Sequence, residues 1–337
     1  RGQAERDPEK PARYVHAFGD FLKYRFSALG NSAEDTLIGF RQIIRSYPNL
    51  LRSYSLKDLE KKFCDRVAIV ISAGPSLEKN VHLLKDVQDK CILIAVDTIL
   101  RKLLPMGIRP HFVVAIERVR EVYDYHFADI EEVTTGVIPV ISSVCVPEIC
   151  GTWKGPFIIP FKTLPLDRWF ATASGLSVLA SGSSCAHMGI PLAEALGCRT
   201  VALVGQDLAY ASDGSTHSRG TGWDDKKEYL DSAFGKTFDA PGALGGTVRT
   251  NQFWWYFKKT FENFFAARPN MSFFNATEGG LQIEGAETIT LDDFLEREVR
   301  PAQPFSSAPI ELLETRPLSK ADTRDRFVQF IRDATRS

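Results

Sequence analysis

The chain has 337 residues, 44% apolar and 25% charged, with a net charge of −1. These are ordinary values for a globular protein long enough to bury most of its apolar surface. The balanced charge argues against bulk binding to nucleic acid or to an anionic membrane. No apolar run approaches the roughly 20 residues needed to insert across a bilayer.

No signal peptide is visible, and the chain begins with Arg1, which fits an excerpt of a longer protein. The cysteines, Cys64, Cys91, Cys145, Cys150, Cys185 and Cys198, form no CxxC pair. They read as structural thiols of a reducing cytoplasm.

In chain order, residues 1–12 are charged and contain prolines, a loose start. Spaced apolar positions over 13–61 (Phe18, Phe21, Leu22, Tyr24, Phe26; then Leu37, Ile38, Phe40, Ile43, Ile44) predict two or three helices. Asn31-Ser32-Ala33-Glu34-Asp35 supplies a cap and an acidic first turn for one of them.

From residue 66 short apolar runs alternate with amphipathic stretches. Val67–Ile71, Cys91–Val96, Phe112–Ile116, Val137–Ile141, Phe157–Ile159 and Thr200–Val204 predict strands. Residues 77–87, 98–106, 119–131 and 184–196 predict intervening helices. Continuous apolar strands alternating with helices imply a Rossmann-like α/β fold, a mostly parallel sheet covered on both faces. Residues 206–250 read as a long polar, glycine-rich loop, and 252–267 as an aromatic helix that fills a core or a groove. Helices follow at 290–299 and 319–334. The expected organisation is an N-terminal helical segment at 1–62, an α/β domain at 63–300, and a linker with a C-terminal helix at 301–337.

Ligands of parallel sheets sit at the carboxyl ends of the strands, so the residues that follow each strand are the site candidates. After the first comes Ala73-Gly74-Pro75-Ser76, which is neither a P-loop nor a GxGxxG fingerprint. Pro75 removes one amide donor. Ser76 either adds a hydroxyl to an anion site or caps the helix that follows. After the second comes Asp97-Thr98, a substrate or metal contact or another cap, and after the third comes Glu117.

Ser183 and Ser184 in "ASGSSCAHMG" open a helix as an anion nest or as close packing, and His187 beyond them reads as a packed histidine. "GQDLAYASDGSTHSRG" contributes Gln206, Asp207, Tyr210, Asp213 and His217. His217 alone among the histidines lies in a polar, glycine-flanked loop, where a neutral imidazole can take a proton. "NATEGG" adds Thr277 and Glu278, a polar contact set or a stabilised turn.

Taken together, "SAGPSLEKN", "IAVDTILRKLLPMGIRPHFVVAIE", "GQDLAYASDGSTH" and "NATEGGLQIEGAETITLDDF" resemble the bacterial motility-associated factor (Maf) glycosyltransferases. Those share a domain with archaeal 6-hydroxymethylpterin diphosphokinases of the MptE-like group. "FLKYRFSALGNSAEDTLIGFRQ" is similar to the Maf branch, and the resemblance spans roughly residues 18–298.

The resemblance implies a sialyltransferase-like core with no required cofactor. It implies transfer of a pseudaminic- or legionaminic-type nonulosonic acid from its CMP-activated form to Ser or Thr of flagellin in the cytoplasm. It places Gly74, Pro75, Ser76, Asp97, Thr98, Glu117, Ser183, Ser184 and Gln206 on the donor side. Tyr210, Asp213, Thr277 and Glu278 fall on the acceptor or sugar side. His217 becomes the general base, with Asp207 positioning a hydroxyl or orienting the histidine.

This chain has Ala73 where the related sialyltransferase turn carries Asn. It has His111 and Glu117 where the family often shows Asp. Two other readings stand beside this one. A pterin diphosphokinase would use ATP and Mg²⁺ held by Asp97, Glu117 and Asp207. A non-catalytic flagellin-binding module would use the aromatic helix as a protein-binding groove.

Overall fold

The structure is a computed structural model. It describes residues 32–130, 135–221 and 236–313, with helical positions at 11, 14–15, 18–19, 324–325, 328–329 and 332. Most of the expected loose start at 1–12, most of the first helix and most of the helix at 319–334 lie outside the described residues. The chain divides into two compact units, residues 1–37 and 38–337. The boundary falls within helix α1, Ala33–Arg45, so residues 38–62 belong to the larger unit.

The larger unit is built on a seven-stranded sheet whose paired strands are all parallel. Its strands are β1 (Val67–Ile71), β2 (Ile92–Val96), β3 (Phe112–Ala115), β4 (Ile138–Ile141), β5 (Thr200–Val204), β8 (Ser272–Asn275) and β9 (Glu287–Thr288). They lie in the order β4-β3-β2-β1-β5-β8-β9. VAIVI, ILIAV and FVVA are apolar at every position and buried almost throughout, as strands covered on both faces must be. Helix α2 (Asp97–Leu103) connects β2 to β3.

Two helices cover the sheet beside the site. The first, α4 (Cys185–Leu196), is buried around most of its circumference. It lies between the sheet and α5 (Gln252–Ala266), which turns Trp254, Phe261 and Phe265 inward. The aromatic helix is thus a core element, as its sequence implies.

Four segments differ from the sequence expectation. Phe157–Ile159 makes only isolated bridges, through Ile158 to Tyr54 and to Val140. Pro156 and Pro160 flank it and supply no amide to a ladder. Residues 77–87 form two 3-10 helices, Pro75–Lys79 and Val81–Val87, broken at Asn80. The loop expected at 206–250 contains an antiparallel hairpin, β6 (Thr237–Pro241) with β7 (Thr247–Asn251). Helix α3, Pro165–Ser174, was not anticipated, although Pro165 at its first turn and the left-handed Gly175 beyond its end mark it.

Candidate functional site

The chain builds β1 to β4 outward on one side of the sheet, then crosses to β5 and β8 on the other side of β1. The connections that leave β1 and β5 therefore run on toward opposite edges of the sheet. A crevice opens where they part, at the carboxyl ends of the strands, which is where ligands of open α/β sheets bind. A cleft of about 400 Å³ occupies this switch point.

The floor is formed where the two loops meet. Gly74 N donates to Gly205 O (2.8 Å), and Ser72 Oγ donates to Gln206 Oε1 (2.5 Å). Asp207 Oδ1 accepts from Ser76 N (3.1 Å) and Oδ2 accepts from Ser76 Oγ (2.8 Å). A Cβ at position 74 would overlap Asp207 Oδ2 and Gly205 O. The single glycine is thus required by the approach of the two loops. Burial pushes the Asp207 carboxyl up to about 6, against the opposing effects of the Ser76 hydrogen bonds and the Lys79 charge.

Asp97 and Thr98 line one wall at the start of α2, with Glu117 beyond β3. Asp97 Oδ1 accepts from Thr98 N (2.8 Å) and from Thr98 Oγ1 (3.2 Å), so one oxygen is engaged within the first turn of the helix. A second wall is the start of α4, where Ser183, Ser184, Cys185 and Ala186 face the cleft.

Behind that wall His187 is fully buried. Its Nδ1 accepts from Ser183 N (3.2 Å), which requires the proton on Nε2, so Nε2 donates to Phe257 O (2.9 Å). Ser184 Oγ lies 2.9 Å from the same Nδ1. Burial holds His187 down at about 4, with the Phe257 bond opposing. The ring is a neutral strut between the serine turn and α5, the packed histidine that the sequence suggested.

His217 and Thr216 complete the rim, with Thr216 Oγ1 2.9 Å from His217 Nδ1. Trp254 and Phe257 of α5 also line the cleft. Sequence reasoning missed these two as cleft residues, because an aromatic helix reads as core. Cys185 lines the cleft too, but burial raises its thiol well above the ordinary range, which makes it a poor nucleophile.

Gly74, Asp97, Thr98, Glu117, Ser183, Ser184, Gln206, Asp207 and His217 are brought to one cleft. Pro75, Ser76, Tyr210, Asp213, Thr277 and Glu278 do not line it, and their bonds explain why. Ser76 is buried against Asp207. The Tyr210 ring packs on Trp254 at 4.8 Å. Asp213 closes its own turn by accepting from Ser215 N (2.9 Å) and Oγ (2.6 Å). Buried Thr277 accepts from Gln206 N (3.1 Å). Glu278 accepts from Asn80 Nδ2 (2.8 Å) and Leu291 N (2.9 Å), tying two helical segments to the loop after β8. Asp207, expected to orient His217, directs both oxygens to Ser76.

The cleft carries three carboxylates, and no lysine or arginine is found among its described lining residues. No group of three or more His, Cys, Asp or Glu among the described residues is arranged to hold a metal ion.

A parallel sheet with helices on both faces and a cleft at its switch point defines a Rossmann-like α/β protein. Within that class the chain belongs to the MptE-like family: the model described as 6-hydroxymethylpterin diphosphokinase MptE-like matches residues 41–213. A solved structure of similar fold is the MAf glycosyltransferase from Magnetospirillum magneticum AMB-1. It has 18% identity and a TM-score of 0.57, with 84% of this chain and 42% of that chain covered. This chain therefore spans about two fifths of that structure's length. No curated protein matches.

Proposed function

We propose that this chain is the core of a glycosyltransferase that moves a nonulosonic acid from a CMP-activated donor to Ser or Thr hydroxyls of flagellin in the cytoplasm. The observation that carries the proposal is the meeting, in one switch-point cleft, of a loop histidine and a helix N-terminus with two serines. Such a reaction needs both. His217 takes the proton of the acceptor hydroxyl as CMP departs. The first amides of α4, with Ser183 and Ser184, receive the departing phosphate or the sugar carboxylate. The fold likeness to a MAf glycosyltransferase supports this reading.

Asp97 and Glu117 face the cleft as carboxylates. They favour the positive charge that develops on the sugar ring as the bond to phosphate breaks. General-base catalysis contributes about 10²–10⁴-fold. His217→Ala should lose turnover on that scale while CMP still binds. Wild-type transfer by that variant removes His217 from the mechanism.

A second reading is a diphosphokinase acting on a pterin alcohol, favoured by the family description and by the acidic lining. Mg²⁺ would then be held by Asp97 and Glu117 with substrate phosphates, a donor set common for that ion. Asp207 fits such a site poorly, since Ser76 occupies both its oxygens. When bound, the ion would supply charge neutralisation at the transferring phosphates. Thermal shift with CMP, CTP, and ATP plus Mg²⁺ separates the readings. Stabilisation by ATP–Mg²⁺ but not by CMP overturns the glycosyltransferase.

A further inference from the structure

We propose that Glu78 is a positioning residue that latches the His217 loop onto the wall of the cleft. The inference rests on the reading of His217 as the base. Glu78 lies on the 3-10 helix Pro75–Lys79, outside the cleft lining. Its Oε1 accepts from Ser218 Oγ (2.7 Å), from Arg219 N (2.9 Å) and from Lys102 Nζ.

Ser218, the neighbour of His217, is held at every polar atom. Its N–H donates to Ala73 O (2.7 Å), its hydroxyl to Glu78, and its carbonyl accepts from Thr221 Oγ1 (2.9 Å). It is only 1% exposed. Lys102 is carried by α2, the helix that begins at Asp97. One carboxylate therefore joins three parts of the wall: the turn after β1, the helix after β2, and the loop that bears His217.

Global stability is a weak explanation for this arrangement. The Glu78 side chain is 46% exposed, against 11% for Lys102, and partly exposed ion pairs contribute about 0–1 kcal/mol. The network acts locally instead. The polar loop from Ala211 to Thr221 closes on itself through Ala211 N to Ser215 O, and from Ser218 onward it is held down by these bonds. Without Glu78 the buried Ser218 hydroxyl loses its acceptor and Arg219 N its partner. Ser218 N still donates to Ala73 O and Lys102 Nζ still donates to Ser218 Oγ, so the loop is loosened around His217. A base acts only within hydrogen-bond reach of its proton, and a misplacement of about 1 Å costs about 10²-fold.

The experiment is a double-mutant cycle read as kcat and KM in CMP-nonulosonate transfer to flagellin, with CMP affinity measured alongside. Glu78→Ala should lower kcat about 10- to 100-fold, with KM and CMP affinity nearly unchanged. Glu78→Gln should lose less, since its amide oxygen still accepts from Ser218 and Arg219. In the His217→Ala background, removing Glu78 should cost nothing further. Full kcat in Glu78→Ala, or losses that multiply in the double variant, overturns the latch.

Hydrogen exchange separates the latch from the base. If His217→Ala transfers normally, the base reading fails alone. The latch is then decided by the amides of Ser218 and Arg219. Faster exchange there in Glu78→Ala, but not in His217→Ala, supports it, and unchanged protection refutes it.

Discussion

Asp207→Asn should change the pH dependence of stability between pH 4 and pH 8. Asp207 is 6% exposed, and burial raises its carboxyl from 3.8 to about 6, against the Ser76 hydrogen bonds. The folded state therefore holds this proton more tightly than the unfolded chain does. The resulting stability is fully present below the unfolded value near 3.8 and is lost as pH rises through about 6.

Roughly two pH units at about 1.4 kcal/mol each give a loss of about 3 kcal/mol by neutral pH. Asparagine has the same shape. Its amide oxygen can accept from Ser76 N while its NH₂ donates to Ser76 Oγ, so the junction between the loops survives without the charge. Urea unfolding of both proteins at steps between pH 4 and pH 8 is the assay. The variant should match or fall below the wild type at pH 4 and exceed it by about 3 kcal/mol at pH 8. Histidines that titrate in the same range cancel in the difference. A difference that stays flat across this range refutes the assignment.

His187 titrates with the opposite sign: burial lowers it from 6.5 to about 4, so the wild type should lose stability as pH falls through that interval. His187→Gln should flatten this slope while costing about 1–3 kcal/mol at neutral pH, since Ser183 N or Phe257 O is left unpaired, as urea unfolding will show. Gly280→Ala should be among the most damaging small substitutions, because Gly280 has φ +70° and a Cβ there would overlap the backbone of Asp207. Strain of about 1–3 kcal/mol adds to the steric displacement of the loop, so the variant should melt well below the wild type and bind CMP more weakly.

The central sheet was legible because buried parallel strands carry nearly continuous apolar runs, as in Val67–Ile71 and Thr200–Val204. The hairpin 237–251 was not, because only Ala240, Thr250 and Asn251 of TFDAP and TVRTN are buried, and two of those three are polar. The strand-end rule found the right loops for the site. It does not say which side chain of a loop points into the cleft. Nothing local to "GPSLEKN" reveals that an aspartate 131 residues away captures Ser76. Likewise, Glu278 looks like a polar contact until the amide of Leu291 and the side chain of Asn80 are seen to converge on it. Trp254 and Phe257 carry a double role, core on one side and cleft on the other, and helical periodicity records only the first.

The charge of the cleft bears on mechanism beyond the identity of any one residue. A CMP-nonulosonate carries a phosphate and a carboxylate, yet Asp97, Glu117 and Asp207 face it without a lining lysine or arginine among the described residues. Among the described lining residues the donor's anionic groups would meet hydroxyls and backbone amides. The amides at the start of α4 supply partial positive charge at one end only, while the carboxylates lie where a cationic sugar ring would be favoured. Under the proposed reaction that division would bind the separating ion pair better than the intact donor, and interactions stronger in the transition state are the ones that raise kcat. It follows that Glu117→Gln should lower kcat while leaving CMP affinity equal or slightly tighter. Under the diphosphokinase reading the same substitution removes a Mg²⁺ contact and should instead weaken nucleotide binding.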